Sequence, residues 1–445
     1  MIAIIKTLQV ILALSVLILV HELGHFAFAK LFGIRVDKFF LFFDAGGRKL
    51  LSTKTGWFSK IFPKGQKWET EYGIGWLPLG GYCKIAGMVD ESMDTEYLKN
   101  EPQEWEFRTK PAWQRLLVMA GGVLFNIIFA VIMYASLLAG WGESYIGNEG
   151  NSIYVNELAY DMGFRNGDHI ISFDDYEPEN FAMLQVDLAR QSASKAVVLR
   201  DGDTLDIYID HNRIGDVLNS PGMFALARPF IIHSIAEGSV NSGSGLVSGD
   251  RIIGIDSIPV PFVQDAWPIL EQHLGETVDV DVVRAADTLS LPLQVDTTGR
   301  LGVFLASPDI KTREYSLASA IPAGFKKTFT SVGGYIKDLK LVFTPSTEAY
   351  KSVGSFIAIG QVFPESWDWY SFLSIIAMLS IMLAVMNLLP IPALDGGHIV
   401  FTIYEIITGR KPSDNFLYVT QIIGMILIFG LMFLAFGNDI ARLIR

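Results

Sequence analysis

Four stretches of this chain are apolar and long enough to cross a lipid bilayer, which takes about 20 residues in a helix. They fall at 1–32, 113–138, 371–389 and 416–436. In hydrocarbon every backbone polar group must be paired within the protein, so such runs fold as helices. Residues 33–112 and 139–370 are polar by comparison and belong in water. The expectation is a multi-pass α-helical membrane protein with four transmembrane helices and water-soluble parts inserted between them. A secretory signal peptide is the competing reading of the first run. It lacks the strongly basic start and small-residue cleavage site that such a peptide needs.

Charge orients the spans. Lys30, Arg35, Lys38, Arg48 and Lys49 follow the first run closely, whereas acidic groups dominate between the second and third. The positive-inside rule then puts the first loop in the cytoplasm and the acidic region outside. Arg410 and Lys411, in the short last loop, agree. The formal charge of −12 argues against a nucleic-acid partner. Cys83 is the single cysteine, so no internal disulfide or thiolate cluster can form. Any metal must be held by His and carboxylate.

The first run ends in LILVHELGHF, residues 17–26. His21 and His25 are four apart and share one helix face, so both can hold one Zn²⁺, with Glu22 beside them as general base. Ionisable groups at such depth are costly and read as functional. Two imidazoles are an incomplete site, because a catalytic zinc takes three protein ligands. The third run ends in NLLPIPALDGGH, which brings Asp395 and His398 to the same side of the membrane. Asp395 is preferred over His398, since a carboxylate also offsets the metal's charge. A turn or helix-cap role is the bland alternative for Asp395.

Two further features stand out. Glu71 to Met88, EYGIGWLPLGGYCKIAGM, alternates apolar residues with glycines and suggests a β-hairpin near 71–88. It can enter the membrane only where it lines a protein cavity; a plain surface turn is equally compatible. In the acidic region GFRNGDHIISFD (163–174) and GLVSGDRIIGID (245–256) repeat one pattern. Two inserted β-rich domains follow, at 150–212 and 226–305. They resemble PDZ domains, which bind peptides by strand addition or serve here as a steric filter. Residues 314–368 read as an amphipathic or connecting segment and 390–414 as a loop carrying Leu-Asp-Gly.

Taken together, HELGH in a first span, the YGIGWLPLGGY segment, paired PDZ-like repeats and NLLPIPALDGGH resemble the site-2 proteases, in particular the bacterial regulator-of-sigma-E protease group. The resemblance covers nearly the whole chain. It implies an intramembrane zinc metalloprotease of the inner membrane, with His21, His25 and Asp395 on the metal and Glu22 as catalytic acid/base. It implies a substrate-binding role for Asn387 and a membrane-re-entrant β-hairpin over Gly73 and Gly75 that pairs with the substrate strand. The family's Gly-Pro-x-x-Asn in the second span stands here as Gly122-Val123-Leu124-Phe125-Asn126, which keeps Asn126 as a substrate-binding candidate without the Pro. Substrates would be single-span proteins or remnant signal peptides in the lipid bilayer. A catalytically silent membrane-anchored PDZ scaffold is the first rival. An ion-handling protein is the second, but spans two and four lack the spread of ionisable groups it would need.

Overall fold

The computed structural model describes residues 2–56, 58–61, 70–78, 80–88 and 101–444. Leu79 of the expected hairpin, residues 57, 62–69 and 89–100 of the expected first loop, and the two terminal residues lie outside the described residues. The chain divides into two compact units, one of 1–142, 314–340 and 350–445, the other of 143–313 and 341–349.

The first unit opens with α1 (Ile2–Leu31), then β1 (Val36–Leu41), β2 (Lys49–Ser52), β3 (Glu71–Gly75), β4 (Tyr82–Ile85) and α2 (Ala112–Trp141). α1 and α2 touch backbone to backbone. A Cβ on Gly121 would lie 2.6 Å from the Gly24 carbonyl oxygen, so both positions are glycine for contact, as at small-residue crossings in membranes.

The strands form one mixed sheet in the order β2-β3-β1-β4, with β1 and β3 parallel and the other pairs antiparallel. The expected hairpin at 71–88 is therefore corrected: β3 and β4 are separated by β1. Alternation at Tyr72, Ile74 and Trp76 identified a strand but not its neighbour. The Phe40 ring lies where a Cβ at Gly73 would be, which fits β1 against β3.

The second unit begins with β5 (Glu143–Ile146) and ends its strands with β17 (Ile310–Arg313), which pair antiparallel as a stem. Between them lie β6 (Ile153–Val155), α3 (Glu157–Asp161), β7 (His169–Phe173), α4 (Leu184–Gln191), β8 (Lys195–Arg200), β9 (Asp203–Tyr208), α5 (Ile214–Asn219) and β10 (Phe224–Leu226). The repeat follows as β11 (Ile232–Ile235), β12 (Arg251–Ile255), β13 (Ile258–Pro259), α6 (Val263–Leu270), β14 (Thr277–Arg284), β15 (Asp287–Gln294) and β16 (Val303–Leu305).

Each half has its own apolar core, one around Phe164, Phe173 and Leu188, the other around Ile252, Val280 and Leu293. The repeat is exact at the level of hydrogen bonds. Arg200 grips buried Asp168 at 2.6 and 2.8 Å and donates to the Gly163 carbonyl at 2.8 Å. Arg284 does the same to Asp250 at 2.7 and 2.8 Å and to Gly245 at 2.7 Å. The first core runs past residue 212, taking in Val217 and Met223, and β10 pairs with β6.

The chain returns to the first unit through α7 (Leu317–Val342), then α8 (Phe356–Val362), α9 (Trp369–Leu388), α10 (Asp395–Thr408) and α11 (Asp414–Ile444). Among the described residues four helices are apolar and long enough to cross a membrane: α1, α2, α9 and residues 415–441 of α11. α2 and α9 share a buried cluster of Ala130, Tyr134, Ala377 and Ile381, and α7 packs Val332, Tyr335 and Leu339 on it. The stretch 390–414, expected as a loop, holds the 14-residue α10. Near the end of α11, Asp439 accepts the Ser355 N–H at 2.8 Å and Asn438 donates to the Tyr350 carbonyl at 2.8 Å, so this pair clamps the chain just before α8.

Candidate metal centre

One helical turn separates His21 and His25, and their Nε2 atoms face each other at 3.2 Å. Asp395 Oδ2 lies 3.2 Å from His21 Nε2 and 3.4 Å from His25 Nε2. α9 stops at Leu388 before Pro390 and Pro392, and Asp395 opens α10. Between them Ala393 holds φ 93°, a strained value for a residue with a side chain, of a kind that persists only where the surroundings enforce it. Gly396 and Gly397 lie against the carbonyls of Leu389 and Ile391, and Gly424 of α11 against that of Pro392. A buried ion pair between Arg115 of α2 and Glu405 of α10 pins the helix that carries Asp395.

These donors suit a divalent cation. Asp395 Oδ2 is buried with no hydrogen-bond partner, and the two Nε2 atoms are too close for both to keep lone pairs on nothing. A cation among them satisfies all three, and two imidazoles with one carboxylate suit zinc. His398 stands outside the cluster, with its side chain on Gln421. α2 backs the site: a Cβ on Gly122 would come 2.5 Å from His21 Cε1 and 2.6 Å from His25 Nε2.

A family model described as Peptidase family M50 matches residues 9–431. The chain belongs to peptidase family M50. As an M50 peptidase it is a membrane metalloendopeptidase that depends on zinc. A Xylella fastidiosa protein named "Putative zinc metalloprotease" is 25% identical over 97% of this chain and 97% of its own length. Proteins named Regulator of sigma-E protease RseP from Salmonella typhimurium and Escherichia coli are 28% and 27% identical, over 97% of this chain and 98% of theirs.

The other expected site residues of this M50 chain divide. Asn387 Nδ2 is 3.4 Å from His21 Nε2, at the centre. Gly73 and Gly75 lie in β3, which is paired on both sides by β1 and β2, so their strand offers no free edge to a substrate. Their missing side chains make room for Phe40 and Phe43 instead. Asn126 is fully buried against His21, with its amide 3.1 Å from Nδ1. Sequence reasoning named Gly122 only as the start of the match to Gly-Pro-x-x-Asn and gave Cys83 no place in the site. The Gly121–Gly122 pair in an apolar helix was a usable signal for close approach. The Cys83 backbone N–H, which bonds the Glu22 carboxylate, left no trace in the sequence.

Proposed function

We propose that this peptidase hydrolyses peptide bonds inside the membrane-spanning segments of single-span substrates. His21, His25 and Asp395 would hold the zinc. Glu22 is the general acid/base. The observation that carries this is a carboxylate one residue from a converging His-His-Asp set in the last third of an apolar helix. When bound, zinc supplies Lewis-acid chemistry, polarising the scissile carbonyl and making water acidic enough to attack near neutral pH. Glu22 takes the proton of the attacking water and returns it to the leaving amine. Asn387 contacts the substrate backbone.

A helical substrate must unwind, since its carbonyls are tied in i→i−4 bonds. The strand that receives it is β4, not the Gly73–Gly75 strand. Among the described residues β4 pairs only with β1, and its Cys83 N–H points to Glu22. The sheet reaches membrane depth as a re-entrant element. Three contacts along α1 support this: Ile85 shares a buried cluster with Ala29, Cys83 meets Glu22, and Gly81 abuts Ile18.

The two PDZ-like modules act outside as a size filter rather than as peptide binders. β6 is paired with β10 on one side, and on the other Ile153 bonds the backbone of Gly167 and Asp168. β11 repeats this with β16 and with Gly249 and Asp250. Basic residues after α1 orient the active site toward the cytoplasm of a bacterial inner membrane. Relatives named for sigma-E regulation make anti-sigma factors candidate substrates, beside remnant signal peptides. The test is Glu22→Gln in the full chain: zinc is retained, and cleavage of a single-span substrate falls by 10²-fold or more, roughly the share of general acid/base catalysis. Cleavage surviving at the wild-type rate would sink this mechanism.

A further inference from the structure

Both imidazoles that present Nε2 to the centre are held from behind by α2. His25 Nδ1 lies 2.9 Å from the Val118 carbonyl oxygen, which can only accept. His25 therefore carries a proton on Nδ1, which leaves Nε2 as its nitrogen for a metal. Among the described residues His21 Nδ1 meets no such carbonyl. Its Nδ1 meets the side-chain amide of Asn126 at 3.1 Å, in a position with no exposed surface. Ser380 Oγ, fully buried on α9, donates to the Asn126 backbone carbonyl at 2.8 Å and locks that turn of α2 against α9.

The amide has two orientations of nearly equal shape. With nitrogen toward Nδ1, a donor faces the ring and the amide oxygen is left buried and unpartnered. With oxygen toward Nδ1, the amide accepts the ring proton. Only this second arrangement leaves His21 neutral with a lone pair on Nε2, the form a metal needs. We propose that Asn126 is a positioning residue, which sets the tautomer and ring angle of His21 by accepting the Nδ1 proton. It does for His21 what the Val118 carbonyl does for His25. Gly122, one turn earlier on the same face, supplies the bare backbone that lets the ring come this close. The proposal rests on the reading of His21 and His25 as zinc ligands and replaces the substrate contact expected for Asn126.

The test compares Asn126→Leu, similar in volume but unable to accept, with Asn126→Asp, which keeps an acceptor oxygen. Zinc affinity is measured on the full chain in detergent by competition with a chelator. The ¹⁵N spectrum of the histidine rings reports which nitrogen of His21 is protonated. Expected is a 10–100-fold loss of zinc affinity in Asn126→Leu, the usual cost of removing an outer partner of a metal-bound His. His21 should lose its Nδ1-protonated signature, and Asn126→Asp should stay near wild type in both readings. Wild-type zinc affinity in Asn126→Leu overturns the proposal. So does an equal loss in Asn126→Asp, which would mean that packing alone is at stake. Failure of the wild-type chain to bind zinc would instead overturn the assignment of the ligands.

Discussion

Gly122→Ala is the sharpest probe of how α2 shapes the metal centre. The new methyl would sit 2.5 Å from His21 Cε1, 2.6 Å from His25 Nε2 and 2.7 Å from His21 Nδ1. Non-bonded carbons rest at about 3.5 Å, so the rings must retreat by about 1 Å. Retreat is obstructed, because His25 is bonded to Val118 on α2 itself and His21 to Asn126. A misplacement of about 1 Å costs roughly 10²-fold in rate, or about 2.7 kcal/mol in the barrier. Zinc affinity should also fall. The helix itself gains from the substitution, since Ala is favoured over Gly by about 1 kcal/mol. A global loss of fold is therefore not expected, and the effect should be confined to the metal centre. The assay is zinc affinity by chelator competition, together with the cleavage rate at saturating zinc. Gly140→Ala on the same helix is the control, since no described residue lies within 4 Å of its Cβ. A Gly122→Ala variant that binds zinc and cleaves like wild type would refute the argument that α2 leaves no room behind the imidazoles.

Two other outcomes follow from the second unit. Arg284 hydrogen-bonds Asp250 and holds its carboxyl below the usual range. Arg284→Ala should therefore destabilise the second core at neutral pH, because it leaves the buried Asp250 carboxylate without its guanidinium partner. A group whose folded pKa is depressed stabilises above its unfolded value, about 3.9, and loses this as pH falls through the folded one. The gap between wild type and variant should then narrow as pH falls below about 4 and close below the folded value, as read by hydrogen exchange of β12 and β14 in the intact chain; a gap that persists in strong acid would contradict the pairing. Replacing residues 147–309 by a short Gly-Ser turn keeps the β5–β17 stem. It should let the enzyme cut a substrate whose outer domain is still bulky, and unchanged discrimination would end the filter reading.

Much of this molecule could be read from its residues. The four apolar runs were legible because bilayer length and backbone pairing leave a helix as the sole economical fold. The family was legible because HELGH and NLLPIPALDGGH each confine a small set of donors to a short stretch. The repeat was visible because Gly163–Asp174 and Gly245–Asp256 must each make the same turn into a buried strand. The failures share another cause. Tyr72, Ile74 and Trp76 carry the period of a strand, but nothing local marks β1 as its neighbour, so the pattern alone pairs β3 with β4. The IVFTIYEII of α10 is too short to span and, following Pro390 and Pro392, reads as loop although its spacing is helical.

The features read correctly are those in which solvent and near neighbours decide. Lipid forces α1, α2, α9 and α11 into helices wherever they pack, and a spacing of four makes His21 and His25 neighbours in any helix. Other features depend on contacts between distant parts of the chain. Asn126 has a face on α2 but no role until Gly24 and Gly121 bring α1 against that face. Asp395 becomes a partner of the histidines only when a proline-broken turn, a strained Ala393 and Gly424 hold it in reach. Glu22 acquires the Cys83 N–H only because β1 displaces β3 and leaves β4 at the edge beside α1. Side-chain direction and depth at these points are set by close packing across several elements, and no local pattern encodes that.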